Sequence, residues 1–146
     1  MPKFTKEMIL VIHEDLIQFG GKAHGILYEA TIDYILSKIE AARGVFEKAA
    51  WALYMSRQHP FIDGNKRTSF ALAATILNIN GYYLSKQDED EIFIALHKIS
   101  DASISCDIKQ IEEWLKRKSR RWQRNYGGHD RSISGPIAPA DCDGTL

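Results

Sequence analysis

Apolar side chains recur at intervals of three and four residues along most of the chain, the period of helices packed on a core. Met8, Val11, Ile12, Leu16 and Phe19 mark a first helix that Gly20-Gly21 ends. A second is expected from about Glu29 to Leu36. The run from Phe46 to Gln58 is rich in helix formers and must stop at His59, because Pro60 disfavours the α region for the residue before it. Thr68 to Asn80 is apolar through most of its length and is halted by Gly81. Asp88-Glu89-Asp90-Glu91 then open a fifth helix carrying Phe93, Leu96 and Ile99. Four acids in a first turn complement the helix dipole, so they read as structural and not as an acid-base pair. A last helix from about Asp107 places Ile108, Ile111, Trp114 and Leu115 on one face, which makes Trp114 a core residue. The expected fold is all-α, with about six helices.

Length and composition set bounds on this picture. With 146 residues, 45% of them hydrophobic, the chain suits one domain with a real core, expected over residues 1–118. No apolar run reaches transmembrane length and no signal peptide opens the sequence, so a cytoplasmic protein with no membrane partner is expected. Cys106 and Cys142 stand far apart without a Cys-x-x-Cys or a histidine cluster, which indicates neither a disulfide framework nor a zinc site. The formal net charge of zero hides an asymmetry: residues 1–115 carry 12 Lys/Arg against 16 Asp/Glu, and residues 116–146 carry 7 against 3. The tail 119–146 is thus basic, with Trp122 inside it. Glycines and prolines further on leave it little to pack, so a solvated helix end and flexible terminus fit better than a nucleic-acid interface.

The densest chemistry lies in His59-Pro60-Phe61-Ile62-Asp63-Gly64-Asn65-Lys66-Arg67-Thr68. The segment ends one helix and starts another, feeding Gly64 and Asn65 into a helix N-terminus. Free amides and the positive end of the dipole make such a terminus an anion site, to which Lys66 and Arg67 add full charges. His59 is suited to act as a general base beside that site. Asp63 offers a hard oxygen ligand for a magnesium ion shared with phosphates. Gly64 allows a tight turn and close approach to a phosphate, and Phe61 anchors the loop in the core. Taken singly each residue has an ordinary structural explanation; their joint spacing points to phosphate chemistry. His13, on the first helix, reads as a surface or core-edge residue.

The segment resembles the motif of the Fic/Doc family, His-x-Phe-x-Asp/Glu-Gly/Ala-Asn-Gly/Lys-Arg, which His59, Phe61, Asp63, Gly64, Asn65, Lys66 and Arg67 match position by position. Similarity to the Doc branch runs from about Ile9 to Leu115, through Phe19-Gly20-Gly21, Gly25, Trp51, Asn80-Gly81 and Ile111 to Leu115. The resemblance implies a Fic/Doc helical fold, with His59 activating a hydroxyl on a target protein and Asp63 holding Mg2+. Gly64, Asn65, Lys66 and Arg67 would bind the phosphates of ATP, and Lys66 and Arg67 would also serve catalysis. Most Fic enzymes have glycine where this chain has Lys66 and transfer AMP; Doc-like members have lysine and are expected to transfer the γ-phosphate. Lys66 therefore favours a kinase acting on a Ser/Thr hydroxyl, with elongation factor Tu as the target the Doc resemblance suggests. Pro60 and Gly64 look more Fic-like. AMP transfer by the same residues is the first alternative, and an inactive Fic-fold binding module the second.

Two further expectations come from the resemblance. A short β-flap that pairs with an extended segment of the target would fall within Leu36 to Gly44, at Lys38, Ile39 and Glu40; a plain helix-to-helix connection is the competing reading, since Glu40, Ala41 and Ala42 are poor strand formers. The inhibitory pattern Ser/Thr-x-x-x-Glu-Gly/Asn of many Fic proteins has no match here, Ser85 to Asp90 coming nearest. Restraint would then come from a separate chain, an antitoxin acting in trans.

Overall fold

Helix α3 (Val45–Gln58) is the axis of the fold, because its alanines 49, 50 and 52, all fully buried, let neighbouring backbones approach closely. The computed structural model describes residues 3–20 and 25–122, the side chains of 18–20 excepted. Around α3 pack α2 (Glu29–Ala41), α4 (Asn65–Ile79), α5 (Glu89–Ser100) and α6 (Ile108–Lys118), and α1 (Lys6–Gly20) lies across α4 and α2. A 3-10 turn (Lys86–Asp88) and two three-residue strands, β1 (Tyr82–Leu84) and β2 (Ser119–Arg121), complete the described elements. The expected all-α class with six helices is what the chain adopts.

The core is aliphatic. Ile9, Ile32, Ile35, Leu53, Met55, Leu72, Ile76, Leu77 and Leu115 are each 1% exposed or less. Burying a side chain of that size contributes about 1.5–3 kcal/mol. In α6 the capping box forms as the sequence allows: Asp107 Oδ1 accepts from the Gln110 N–H, and Gln110 Oε1 accepts from the Asp107 N–H, each at 2.9 Å.

Three expectations need correction. The first concerns α1, whose buried stripe is Ile9, His13 and Ile17, while Met8 and Val11 are 37% and 59% exposed. The helix is rotated by about one position from the expected stripe, which puts His13 inside. The second is the flap. Lys38, Ile39 and Glu40 form the last turn of α2, and only residues 42–44 connect α2 to α3. The physical reason is periodicity: Ile39 extends the buried row of Ile32 and Ile35 and is itself 3% exposed. Lys38 stands over the rings of Tyr34 and Trp51, and Glu40 pairs with Lys3 at 3.4 Å.

The third is where the tail begins. Ser119–Arg121 are a strand, paired antiparallel with β1 so that Tyr82 faces Arg121 and Leu84 faces Ser119. The Trp122 N–H donates to the Gly81 carbonyl at 3.1 Å. Arg120 of the strand pairs with Asp88 at 3.4 Å and Lys118, the last residue of α6, with Glu91, so two of the four clustered acids tie the start of α5 to the junction of α6 and β2. The rest of the expected tail, 123–146 with Cys142, lies outside the described residues. No described helix is long and apolar enough to cross a membrane.

Candidate functional site

The His59–Arg67 segment is a turn between α3 and α4 held by contacts from three directions. His59 closes α3 in the left-handed region, φ 48° and ψ 59°. A side chain with a Cβ costs about 1 kcal/mol or more there, and Pro60 excludes the right-handed alternative. The imidazole Nε2 lies 3.2 Å from the carbonyl of Ser100, the last residue of α5. A carbonyl only accepts, so Nε2 carries the proton and Nδ1 carries the lone pair. Arg57, two residues earlier, secures the segment that supplies this carbonyl. Its guanidinium donates to the carbonyls of Ile99, Asp101, Ala102 and Ile104. The Ser103 hydroxyl and backbone N–H both donate to Asp101 and hold its carboxyl below the usual aspartate value.

Beyond Pro60 the chain dives inward. Phe61 is 1% exposed, and its backbone runs antiparallel to Ile26. Leu27 donates to the Pro60 carbonyl at 2.7 Å and Ile62 to the Gly25 carbonyl at 3.2 Å. Asn65 clamps the same residue from the other side: its Oδ1 accepts from the Phe61 N–H and its Nδ2 donates to the Phe61 carbonyl, both at 2.9 Å. Phe61 is the expected anchor; the Asn65 carboxamide is committed to the loop, so the group it turns toward a ligand is its backbone amide.

Gly64 then caps α4 at φ 80°, with no side chain to satisfy the first turn. The amides of Asn65, Lys66 and Arg67 start the helix and have no intrahelical acceptor. Lys66 is half-buried and Arg67 exposed beside them, and neither is ion-paired among the described residues. Together these groups make a cationic anion nest at a helix N-terminus. Asp63 sits at its mouth, half-buried, with Oδ1 accepting from the Gly64 N–H at 2.8 Å.

His13 is the residue the sequence reading underrated. It is 3% exposed, its ring stacks on Phe61 with centroids 3.8 Å apart, and its Nε2 donates to the Asp63 carbonyl at 2.8 Å. It braces the loop from below. A Cβ at Gly64 would stand 3.3 Å from Ile17 and 3.5 Å from the His13 ring, so α1 packs closely against this glycine. The signal available in sequence was the spacing Ile9, His13, Ile17, which competed with an equally regular stripe one position away.

The donor set suits magnesium. No group of three or more His, Cys, Asp or Glu gathers among the described residues. A transition-metal cage is therefore not built there, whereas Mg2+ needs one or two carboxylates and completes its shell with phosphate oxygens and water. Asp63 beside the nest meets that requirement. Lys38, Ile39 and Glu40 lie in the last turn of α2; the stretch hydrogen-bonded alongside the loop is residues 25–28.

A model of the Fic/DOC family matches residues 3–77. A protein named Toxin Doc from Mycolicibacterium smegmatis (strain ATCC 700084 / mc(2)155) is 36% identical over 103 residues, covering 65% of this chain and 78% of that protein. The matched stretch of the family model contains His13, the whole loop and the α4 nest, the parts that the geometry binds into one unit, and on this ground the chain belongs to the Fic/DOC family.

Proposed function

We propose that this chain transfers the γ-phosphoryl group of ATP to a Ser or Thr hydroxyl of a target protein. Fic/DOC members are protein-modifying transferases, and the fork among them is which end of the nucleotide is handed over. The observation that carries the kinase reading is Lys66, a cation on the first turn of α4 beside the nest amides. A lysine adds bulk and charge where glycine would leave bare backbone, and favours the more highly charged end of the triphosphate.

In this reading the amides of Asn65, Lys66 and Arg67 bind the γ-phosphate, and Lys66 and Arg67 stabilise charge developing on it. His59 Nδ1 accepts the proton of the target hydroxyl as its oxygen bonds to the γ-phosphorus. The bond from that phosphorus to the β,γ-bridging oxygen breaks, and ADP leaves. The Ser100 carbonyl keeps the tautomer and stabilises the imidazolium that forms. Asp63 would hold Mg2+, which supplies neutralisation of the phosphate oxygens when bound. Most of the acceleration then comes from positioning and charge.

The similarity to a protein named Toxin Doc supports a toxin role here; an antitoxin chain as its restraint and elongation factor Tu as its target belong to the same proposal. AMP transfer by the same residues is the competing chemistry. Mass spectrometry of host proteins after expression tests the choice. A single added phosphate on a Ser or Thr, absent with His59→Ala, is expected; an added AMP would overturn the kinase reading.

A further inference from the structure

A cleft of about 200 Å3 lies between the C-terminal half of α5 and the start of α6, along the segment that supports His59. Ile99, Ile104, Ile111 and Trp114 give it apolar walls, and Lys98, Cys106 and Gln110 also line it. Two of the walls carry the support itself. Ile99 and Ile104 line the cleft with their side chains and give their carbonyls to the Arg57 guanidinium, and between them Ser100 supplies the acceptor for His59.

We propose that this cleft binds a small single-ring carboxylate, and that its occupancy is passed to His59 through residues 99–104. Size selects the body of the ligand. An apolar cavity of about 150 Å3 holds one benzene, so this one takes a single ring with a short substituent and is too small for a nucleotide.

Charge selects the substituent. Lys98 is the charged residue of the lining and makes no ion pair among the described residues. The acids next to it in sequence face their own turns: Asp101 accepts from Ser103, and Asp107 from the Gln110 N–H. Gln110 uses its Oε1 on the Asp107 N–H and keeps its amide donors for a ligand. A ligand carboxylate thus meets a cation and a donor, a charge-assisted pairing.

Cys106 is part of the wall and not a reactive group. Burial pushes its thiol up, the Arg57 charge pulls it down and Asp107 adds to the rise, so it stays protonated at neutral pH. An occupant on the same lining shields it, which makes it a reporter. A ring seated on Ile99 and Ile104 loads the residues whose carbonyls Arg57 holds, so a shift in that turn reaches the Ser100 carbonyl and His59 Nε2.

Alkylation of Cys106 by iodoacetamide in the full chain, read by peptide mass spectrometry, tests the site with benzoate, benzyl alcohol and acetate as probes. Benzoate at about millimolar concentration, the range for so small a ligand, is expected to slow alkylation about threefold. Benzyl alcohol should bind about fivefold more weakly, and acetate should not protect. In Lys98→Ala the advantage of benzoate should vanish; in Ala95→Leu, which fills part of the cleft, both ring probes should lose their effect. The ring signals of His59 in NMR spectra should move as benzoate saturates the parent protein. No protection by benzoate in the parent would overturn the site. Equal protection by benzoate and benzyl alcohol would overturn the carboxylate and leave an apolar side chain of a partner as the occupant. Protection with no movement at His59 would overturn the coupling. These readouts do not use the transfer reaction, so their failure is distinct from failure of the kinase reading.

Discussion

The imidazole of His13 lies flat on the ring of Phe61, with centroids 3.8 Å apart and planes 10° apart, while its Nε2 donates to the carbonyl of Asp63. One side chain of α1 thus fixes two residues of the motif loop. The stack and the hydrogen bond are separable by substitution. His13→Phe keeps an aromatic ring against Phe61 and loses the donor; His13→Gln keeps a donor and loses the ring. If the hydrogen bond positions Asp63, His13→Phe should lower transfer about tenfold, a loss of about 1.4 kcal/mol, with little change in melting temperature. His13→Gln should retain more activity despite lower stability. The reverse ranking in a paired activity and melting experiment would contradict this role.

Asn65 serves the loop in a different way. Removing its carboxamide in Asn65→Ala leaves the buried N–H and C=O of Phe61 without partners, at a cost of about 1–3 kcal/mol each. Asn65→Asp keeps the acceptor for the Phe61 N–H but sets a carboxylate against the Phe61 carbonyl. Both variants should unfold at lower denaturant concentration than the parent, and both should lose transfer. An Asn65→Ala protein with parental stability would show that the clamp contributes nothing.

Gly64 is held at φ 80° with α1 directly beneath it. In Gly64→Ala the left-handed conformation costs about 1–2 kcal/mol, and the new methyl presses on Ile17 and His13. Loss of stability of that order, read from denaturant unfolding, is expected together with weaker ATP binding, since the amides that follow Gly64 are re-aimed. Binding unchanged in a destabilised protein would separate the turn from the nest.

Arg57 reaches four carbonyls across residues 99–104, and one of the residues between them, Ser100, supplies the acceptor for His59. Arg57→Ala should therefore act on His59 through Ser100, lowering kcat while KM for ATP changes less than twofold. A rise in KM at constant kcat would place the effect elsewhere. The same segment carries a pH signature: Asp101 titrates below its ordinary value of 3.8 because Ser103 donates to it. A carboxylate with a depressed folded pKa contributes stability above the unfolded pKa and loses it as pH falls through the folded value. Order in 101–104, followed by amide exchange, should hold at pH 5 and decay below 3.8.

The parts of this molecule that were legible in sequence are those fixed by local rules. Pro60 dictated where α3 stops, Gly81 where α4 stops, and Asp107 where α6 starts. The composition of the loop placed Phe61 in the core and Gly64 at the helix cap. What escaped depended on tertiary choices. Two stripes one residue apart were equally periodic on α1, and only packing against Phe61 and Gly64 selects the one containing His13. Between α2 and α3, a flap was expected from family resemblance where the row Ile32, Ile35, Ile39 favours helix. Ser119–Arg121 read as a polar tail because three residues carry no period, and their strand exists only through pairing with Tyr82–Leu84. The second role of Asn65, bonding back to Phe61, likewise needs the turn to be closed before it can be seen.

The central claim is that the nest beside His59 hands over the γ-phosphoryl group. Incubating the protein and its target with ATP labelled separately at the α- and γ-phosphates tests it most directly. Label passing to the target from the γ-position alone, and lost in His59→Ala, is the predicted result. Label passing from the α-position would contradict it.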